Sequence, residues 1–417
     1  MTMIHVTPST HTAVIEDSDV KVLLLESIHS DAESYLRDQG FQVETRSGAL
    51  SEDELIEAIA GVHVLGIRST TYITEKVLDN APDLLAIGAF CIGTNQIDLV
   101  ATNAHGVAVF NAPYSNTRSV VELAIAEIIS LARRLHEKST AMHAGVWDKS
   151  AKGSHEVRGR TLGIIGYGNI GSQLSVIAEA LGLSVVFYDI DDKLALGNAK
   201  RCSTLEELLQ TSDVVSLHVD GRPHNAGFFG EEQFAQMKPR SLFLNLSRGI
   251  AVDTVALRKH LESGHIAGAA VDVFPIEPKV QGAPFEGDLI GLPNVILTPH
   301  VGGSTEEAQE DIGRFVSSKL RGFVETGSSS LSVTFPEVSV PTVPGVHRIT
   351  HLHDNHPGML ATINAVFGDH EVNVVAQQLS TRGTVGYAVT DVEGALSDEV
   401  LDALASIDGT IRIRHLS

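Results

Sequence analysis

Arg248, Glu277 and His300 each come shortly after an apolar run, residues 242–246, 271–273 and 295–297, and their types fit one kind of chemistry. In an open parallel sheet, ligands bind beyond the carboxyl ends of the strands, so charged side chains that close apolar runs are placed to react. Oxidising a secondary alcohol removes a hydride and a hydroxyl proton; a nicotinamide accepts the first, and a side chain must take the second. His300 suits that task, because an imidazole titrates near about pH 6.5. A carboxylate beside it, such as Glu277, favours the charged ring and raises its pKa. Arg248 offers a two-point grip on a carboxylate and polarises a forming carbonyl, a task Lys performs less well. The three describe a 2-hydroxy acid site. Taken singly, each is as readily a structural residue; the case rests on their all closing strands of one nucleotide-type domain.

The elements that must position them begin with Leu162-Gly163-Ile164-Ile165-Gly166-Tyr167-Gly168-Asn169-Ile170-Gly171, an apolar strand running through G-x-G-x-x-G into a helix over 172–181. Gly166 permits the tight turn, Gly168 lets a pyrophosphate approach the backbone, and Gly171 lets helix and strand pack closely, with free N–H groups at the helix start. A second apolar run, 185–188, ends in Asp189, the acidic residue expected about 20 positions on. A nicotinamide or flavin dinucleotide is implied. Asp189 suits a ribose 2′-hydroxyl and repels a 2′-phosphate, and no Arg follows it directly, which favours NAD over NADP.

Around this core, strand and helix patterns alternate. Residues 20–112 read as a small doubly wound sheet, with a helix opened by Ser30 and a capping box at Ser51-x-x-Glu54. Residues 116–144 read as one long helix, suited to a domain or subunit contact, and 304–326 as a second that returns the chain to the first domain. The expected organisation is α/β: a discontinuous substrate-binding domain (1–112 and 304–335), an NAD-binding Rossmann domain (113–303), a linker over 336–345 containing Pro341 and Pro344, and a ferredoxin-like β-α-β-β-α-β module over 346–417.

With 417 residues and 43% hydrophobic content, the chain can bury more than one core. A formal net charge of -22 repels nucleic acid and anionic lipid, so an anionic substrate must be held by local Arg or Lys. Two cysteines, Cys91 and Cys202, are too few for a disulfide framework, and Cys91 lies in an apolar run that favours packing. No window reaches the length of a membrane span, and residues 1–20 lack a basic stretch followed by an apolar one, so a cytoplasmic setting is expected. His351-x-His353 lacks a third ligand nearby in sequence, and no metal is expected.

The chain resembles the D-isomer-specific 2-hydroxyacid dehydrogenase family over nearly its whole length, and within it the members that oxidise 3-phospho-D-glycerate. The resemblance is carried by Asn111-Ala112-Pro113-Tyr114-Ser115-Asn116-Thr117-Arg118-Ser119-Val120, the glycine fingerprint, Asn245-Leu246-Ser247-Arg248-Gly249, Asp272-Val273-Phe274-Pro275-Ile276-Glu277-Pro278, Thr298-Pro299-His300-Val301-Gly302-Gly303-Ser304, and a C-terminal module similar to an ACT domain. It implies Arg248 for substrate binding, Glu277 as partner of His300, and His300 as acid/base. Around the cofactor it implies Gly166, Gly168, Asn169, Ile170, Gly171, Asp189, Leu246, Ser247, Arg248, Asp272, His300, Val301, Gly302 and Gly303. Arg68 and Ser69, at a strand end, with Gly93 and Asn116, become the substrate candidates alongside Arg248; some members carry a second basic residue where this chain has Thr70. In the ACT-like module the resemblance points to His353, Asn355 and Asn373 holding L-serine between two copies, giving end-product inhibition in a homotetramer. A helix cap and a turn explain His353 and Asn355 equally well. Relatives often have Arg at His356 and a glycine pair at Pro344-Gly345. A broader 2-hydroxyglutarate dehydrogenase, or a non-catalytic NAD-sensing corepressor of the same fold, are the other readings.

Overall fold

Four short helices separate the first five strands, and each apolar run is short enough to cross a sheet once: β1 (Lys21–Leu24), α1 (Ser30–Asp38), β2 (Gln42–Thr45), α2 (Glu52–Ala58), β3 (Val64–Ile67), α3 (Glu75–Asp79), β4 (Ala86–Ala89), α4 (Leu99–Ala104) and β5 (Ala108–Asn111). The computed structural model describes residues 19–278, 282–341, 345–394 and 396–416. β3 and β4 are buried throughout, as strands covered on both faces must be, and the order β2-β1-β3-β4-β5 is that of a flavodoxin-like parallel sheet. Side chains close the helix starts: Ser51 and Glu54 make the reciprocal box on α2, and Asp98 accepts the N–H groups of Val100 and Ala101 on α4.

Two units divide the chain, one running to Ser115 and resuming at Gln309, the other Asn116–Ala308. The second holds α5 (Thr117–Arg133), α6 (Leu135–His143), β6 (Thr161–Ile165), α7 (Asn169–Ala180), β7 (Ser184–Tyr188), β8 (Lys200–Arg201), α8 (Leu205–Thr211), β9 (Val214–Leu217), α9 (Glu231–Gln236), β10 (Ser241–Asn245), α10 (Thr254–Glu262), β11 (Ile266–Val271) and β12 (Val295–Leu297). Its sheet runs β12-β11-β10-β9-β6-β7-β8, so the strand order reverses between β6 and β9, where doubly wound sheets bind their ligands.

The single helix expected over 116–144 is two. Arg134 adopts a left-handed φ of 54°, and its guanidinium grips both oxygens of Glu137 at 2.5 and 2.8 Å. The burial pattern gives the reason: α5 buries a stripe that ends at Leu131 and Ala132, whereas α6 buries nothing.

The first unit resumes within α11 (Glu306–Thr326) and continues with β13 (His347–Asp354), α12 (Met359–Asp369), β14 (Asn373–Arg382), β15 (Val385–Glu393), α13 (Asp398–Ala405) and β16 (Thr410–Leu416). They form an antiparallel sheet, β14-β15-β13-β16, the ferredoxin-like arrangement of an ACT domain. This module is welded to the first sheet. Phe110, Phe323, Phe335, Leu352 and Tyr387 share one apolar cluster, and buried Arg412 donates to the carbonyls of Leu84, Pro82 and Gly106. Arg414 caps α11 by donating to Phe323 and Val324 at 3.1 and 2.7 Å. Within the stretch expected as linker, Val338 is fully buried; Pro344 lies outside the described residues.

Candidate active site

In the second unit, the turn after β12 carries the histidine. Asp272, just past β11 and 2% exposed, accepts the Thr298 hydroxyl at 2.6 Å and the N–H groups of Val301 and Gly302 at 2.8 Å each. These bonds hold His300 at a left-handed φ of 54°, a conformation that costs a non-glycine residue on the order of 1 kcal/mol. In that pose Nδ1 of His300 lies 2.9 Å from Oε2 of Glu277, whose other oxygen accepts the Phe274 N–H at 3.0 Å.

The pair shifts both titrations. The bond to Glu277 raises the His300 pKa above its ordinary value against the opposing effect of burial. Burial pushes the Glu277 carboxyl up, but the bonds to His300 and Phe274 and the charges of His300 and Arg248 more than offset it, leaving the carboxyl below its usual range. Arg248 is half-buried beyond β10, with Nη1 on the Ser247 carbonyl at 2.7 Å; Ser247 and Leu246 are buried beneath it. Arg248, Glu277 and His300 therefore lie close enough to share one field. A neutral imidazole fixed by a carboxylate, next to a guanidinium, can take a proton from an alcohol whose neighbouring carboxylate is held.

The residues expected around the cofactor form a second group on the same sheet. Gly166 has a φ of 89°, and a Cβ there would lie 2.4 Å from the His218 carbonyl, so only glycine makes this turn. A Cβ on Gly171 would meet the Gly166 carbonyl at 2.3 Å, whereas Gly168 faces open space. α7 starts at Asn169 with Gly168 as its cap, and among the described residues no side chain caps its first turn. Those donors and a glycine-edged approach fit a pyrophosphate. Asp189 accepts the Tyr167 N–H at 2.7 Å, tying the end of β7 to the glycine turn, and Ile170 follows Asn169 in the first turn of the helix. Gly303 lies against Asn116, where a Cβ would fall 2.3 Å from Nδ2; the Asn116 Oδ1 is buried without a partner among the described residues.

Two further carboxylates, one in each unit, are not singled out by residue spacing. Glu127 on α5 is 3% exposed, neither oxygen has a partner among the described residues, and burial together with the charge of Asp272 pushes its pKa up to about 8. It sits on the apolar stripe of a helix, where a lone carboxylate has no sequence signature. In the first unit, Glu26 accepts the N–H groups of Arg68, Thr70 and Thr71 at 3.2, 3.0 and 2.8 Å. Applying the strand-end rule to β1 as well would have found it. Arg68 is half-buried, Ser69 exposed, and Gly93 is tied to Cys91 and Gln96.

The effector candidates do not meet within one chain. His353 pairs with Gly386 and Asn373 with Glu393, at opposite ends of β15, about 23 Å apart at ~3.3 Å per residue. Asn355 stays near His353, donating to the Gly383 carbonyl at 2.9 Å, while Asn373 donates to Glu393. The His353 ring is 1% exposed, and its Nε2 has no partner among the described residues.

Comparison with known proteins fixes the class. Residues 125–302 match the family described as D-isomer specific 2-hydroxyacid dehydrogenase, NAD binding domain, and residues 349–412 an AHAS small subunit-like ACT domain. Among solved structures, D-2-hydroxyisocaproate dehydrogenase superposes with a TM-score of 0.69 at 26% identity, over 76% of this chain and 100% of that one. The chain belongs to the D-isomer-specific 2-hydroxyacid dehydrogenase family and is an NAD-dependent enzyme with a C-terminal ACT domain. Within the family, D-3-phosphoglycerate dehydrogenases are among its curated relatives. The D-3-phosphoglycerate dehydrogenase of Dictyostelium discoideum is 51% identical over 95% of this chain and 97% of its own length. That of Escherichia coli K12 is 48% identical over 96% and 98%.

Proposed function

We propose that the enzyme oxidises the C2 hydroxyl of 3-phospho-D-glycerate to 3-phosphohydroxypyruvate, the opening step of L-serine synthesis, and that L-serine restrains it through the ACT module. The observation that carries the chemistry is the 2.9 Å bond from His300 to Glu277 beside Arg248. The substrate rests on relatives about half identical over nearly the whole chain.

Arg248 holds the substrate carboxylate through paired N–H groups and faces the oxygen that becomes the carbonyl. His300 Nδ1 is engaged by Glu277, so Nε2 takes the hydroxyl proton. The Glu277 carboxylate then faces the imidazolium that forms. NAD, when bound, accepts the hydride leaving C2. Arg68 and Ser69 are the candidates for the phosphate, and Asn116 and the backbone near Gly93 for the other end of the substrate. The separation of His353 and Asn355 from Asn373 supports an effector site shared by two copies, in keeping with a cytoplasmic homotetramer.

Steady-state kinetics on 3-phosphohydroxypyruvate and on hydroxypyruvate, which lacks the phosphate, test the substrate. Arg68→Ala should raise KM for the phosphorylated acid about 10- to 100-fold, the loss of a charge-assisted bond, and leave hydroxypyruvate within about twofold. Equal loss on both acids would remove the phosphate from the reading and favour a broader 2-hydroxy acid dehydrogenase.

A further inference from the structure

The loop proposed to read the phosphate is held from two sides by side chains that hydrogen-bond its backbone. On one side the Glu26 carboxylate fills a backbone nest, Oε1 accepting from Arg68 and Thr71 and Oε2 from Thr70. Consecutive amides aimed at one point form a binding place for an anion. Here an internal carboxylate occupies it, so these three N–H groups are already taken and do not serve an external phosphate. Glu26 and Ser27 take left-handed φ values of 60° and 51°, a conformation that non-glycine residues avoid and that turns the Glu26 side chain back onto the loop.

On the other side Gln96, 7% exposed, donates from Nε2 to the Arg68 carbonyl at 2.5 Å and to the Gly93 carbonyl at 3.3 Å. The two peptide groups flanking the Arg68 Cα are therefore both fixed, the N–H by Glu26 and the C=O by Gln96. With both fixed, the backbone at Arg68 and the Cα–Cβ direction from which its side chain departs are set. Gln96 also joins this loop to the one that carries Gly93.

We propose that Glu26 and Gln96 are positioning residues for phosphate recognition: they aim Arg68, and thereby set the preference for a phosphorylated over an unphosphorylated 2-hydroxy acid. The inference rests on the substrate reading above and deepens it. Glu26→Gln is the sharpest variant. The amide keeps the shape of the carboxylate but turns one acceptor into a donor facing a backbone N–H.

The test is a double-mutant cycle with Arg68→Ala, read as KM and kcat for 3-phosphohydroxypyruvate and hydroxypyruvate. Glu26→Gln should raise KM for the phosphorylated acid about tenfold, with kcat within about threefold and hydroxypyruvate kinetics unchanged. In the Arg68→Ala background the same substitution should change KM by less than about twofold, because the group it aims is gone. Gln96→Ala should behave alike. A purely structural role lowers the folded fraction, hence the apparent kcat, and leaves KM alone. Unchanged KM in both variants, or the same factor with and without Arg68, overturns the proposal. Should the wild type fail to turn over either phosphorylated acid, the substrate reading falls instead. Amide exchange then decides the positioning: Glu26→Gln must speed exchange at Arg68, Thr70 and Thr71 while leaving Tyr167 unchanged, and uniform rates would sink it.

Discussion

At the scale of single residues, the chemistry depends on which protonation state the His300–Glu277 pair holds. Oxidation needs the neutral imidazole as base, and the bond to Glu277 raises the pKa of the ring, so kcat/KM for oxidation should rise with pH through a midpoint above about 6.5. Glu277→Gln removes the charge that favours imidazolium. Its midpoint should move to lower pH, and kcat at the plateau should fall about 10- to 100-fold because the ring is less well oriented. An unmoved midpoint would detach Glu277 from the titration. The sign for stability is separate. A raised histidine contributes below about pH 6.5 and loses that contribution as pH climbs through its folded value; a depressed carboxyl contributes above about pH 4.3 and loses it on acidification. Both side chains are well exposed, 50% and 36%, so this contribution is at most about 1 kcal/mol and the pair matters for rate rather than folding.

At the scale of elements, α5 carries a cost that comes first from the burial of Glu127 and then from the charge of Asp272. Val120 and Leu123 pack against Gly302, and Glu127 on the same helix feels Asp272, the residue that shapes the His300 turn. With a folded pKa of about 8, Glu127 binds a proton that the unfolded chain releases near about pH 4.3, so native stability falls as pH rises between these values. Glu127→Gln should remove that slope. In thermal melts the variant should gain on the wild type by roughly 2–4 kcal/mol at pH 8.5 relative to pH 5.5; parallel Tm profiles would show that Glu127 does not titrate there. Much of the architecture around α5 is legible in the sequence, because β6, the glycine turn, α7 and Asp189 follow from glycine spacing and apolar periodicity. The strand-end rule likewise finds Arg248, Glu277 and His300. The break at Arg134 is not legible, since the left-handed residue is an arginine rather than a glycine and is held by Glu137 instead. Glu127 and Glu26 escape because their meaning lies in what the fold brings to them, Asp272 in one case and three backbone amides in the other.

At the scale of the whole molecule, the ACT module is not a free appendage of its unit. Buried Arg348, Arg412 and Arg414, with the Tyr387 hydroxyl on the Gly327 carbonyl at 2.8 Å, bond it to backbone outside the module. The effector candidates divide between the two ends of its sheet, so the proposed L-serine site needs a second copy of the module. Asn355→Ala and Asn373→Ala should each abolish inhibition by millimolar L-serine. When the two variants are co-expressed, mixed assemblies should recover part of it, because one of the two shared sites is then intact. Absence of recovery, with each variant folded, would place the effector elsewhere.

The most direct test of the central claim is NADH formation from 3-phospho-D-glycerate by the wild type, His300→Ala and Arg248→Ala, with NAD affinity measured alongside. The account predicts rapid turnover by the wild type, kcat at least about 100-fold lower in His300→Ala, kcat/KM lower by a similar factor in Arg248→Ala, and NAD still bound by both. Turnover within about twofold of the wild type in either folded variant would contradict it.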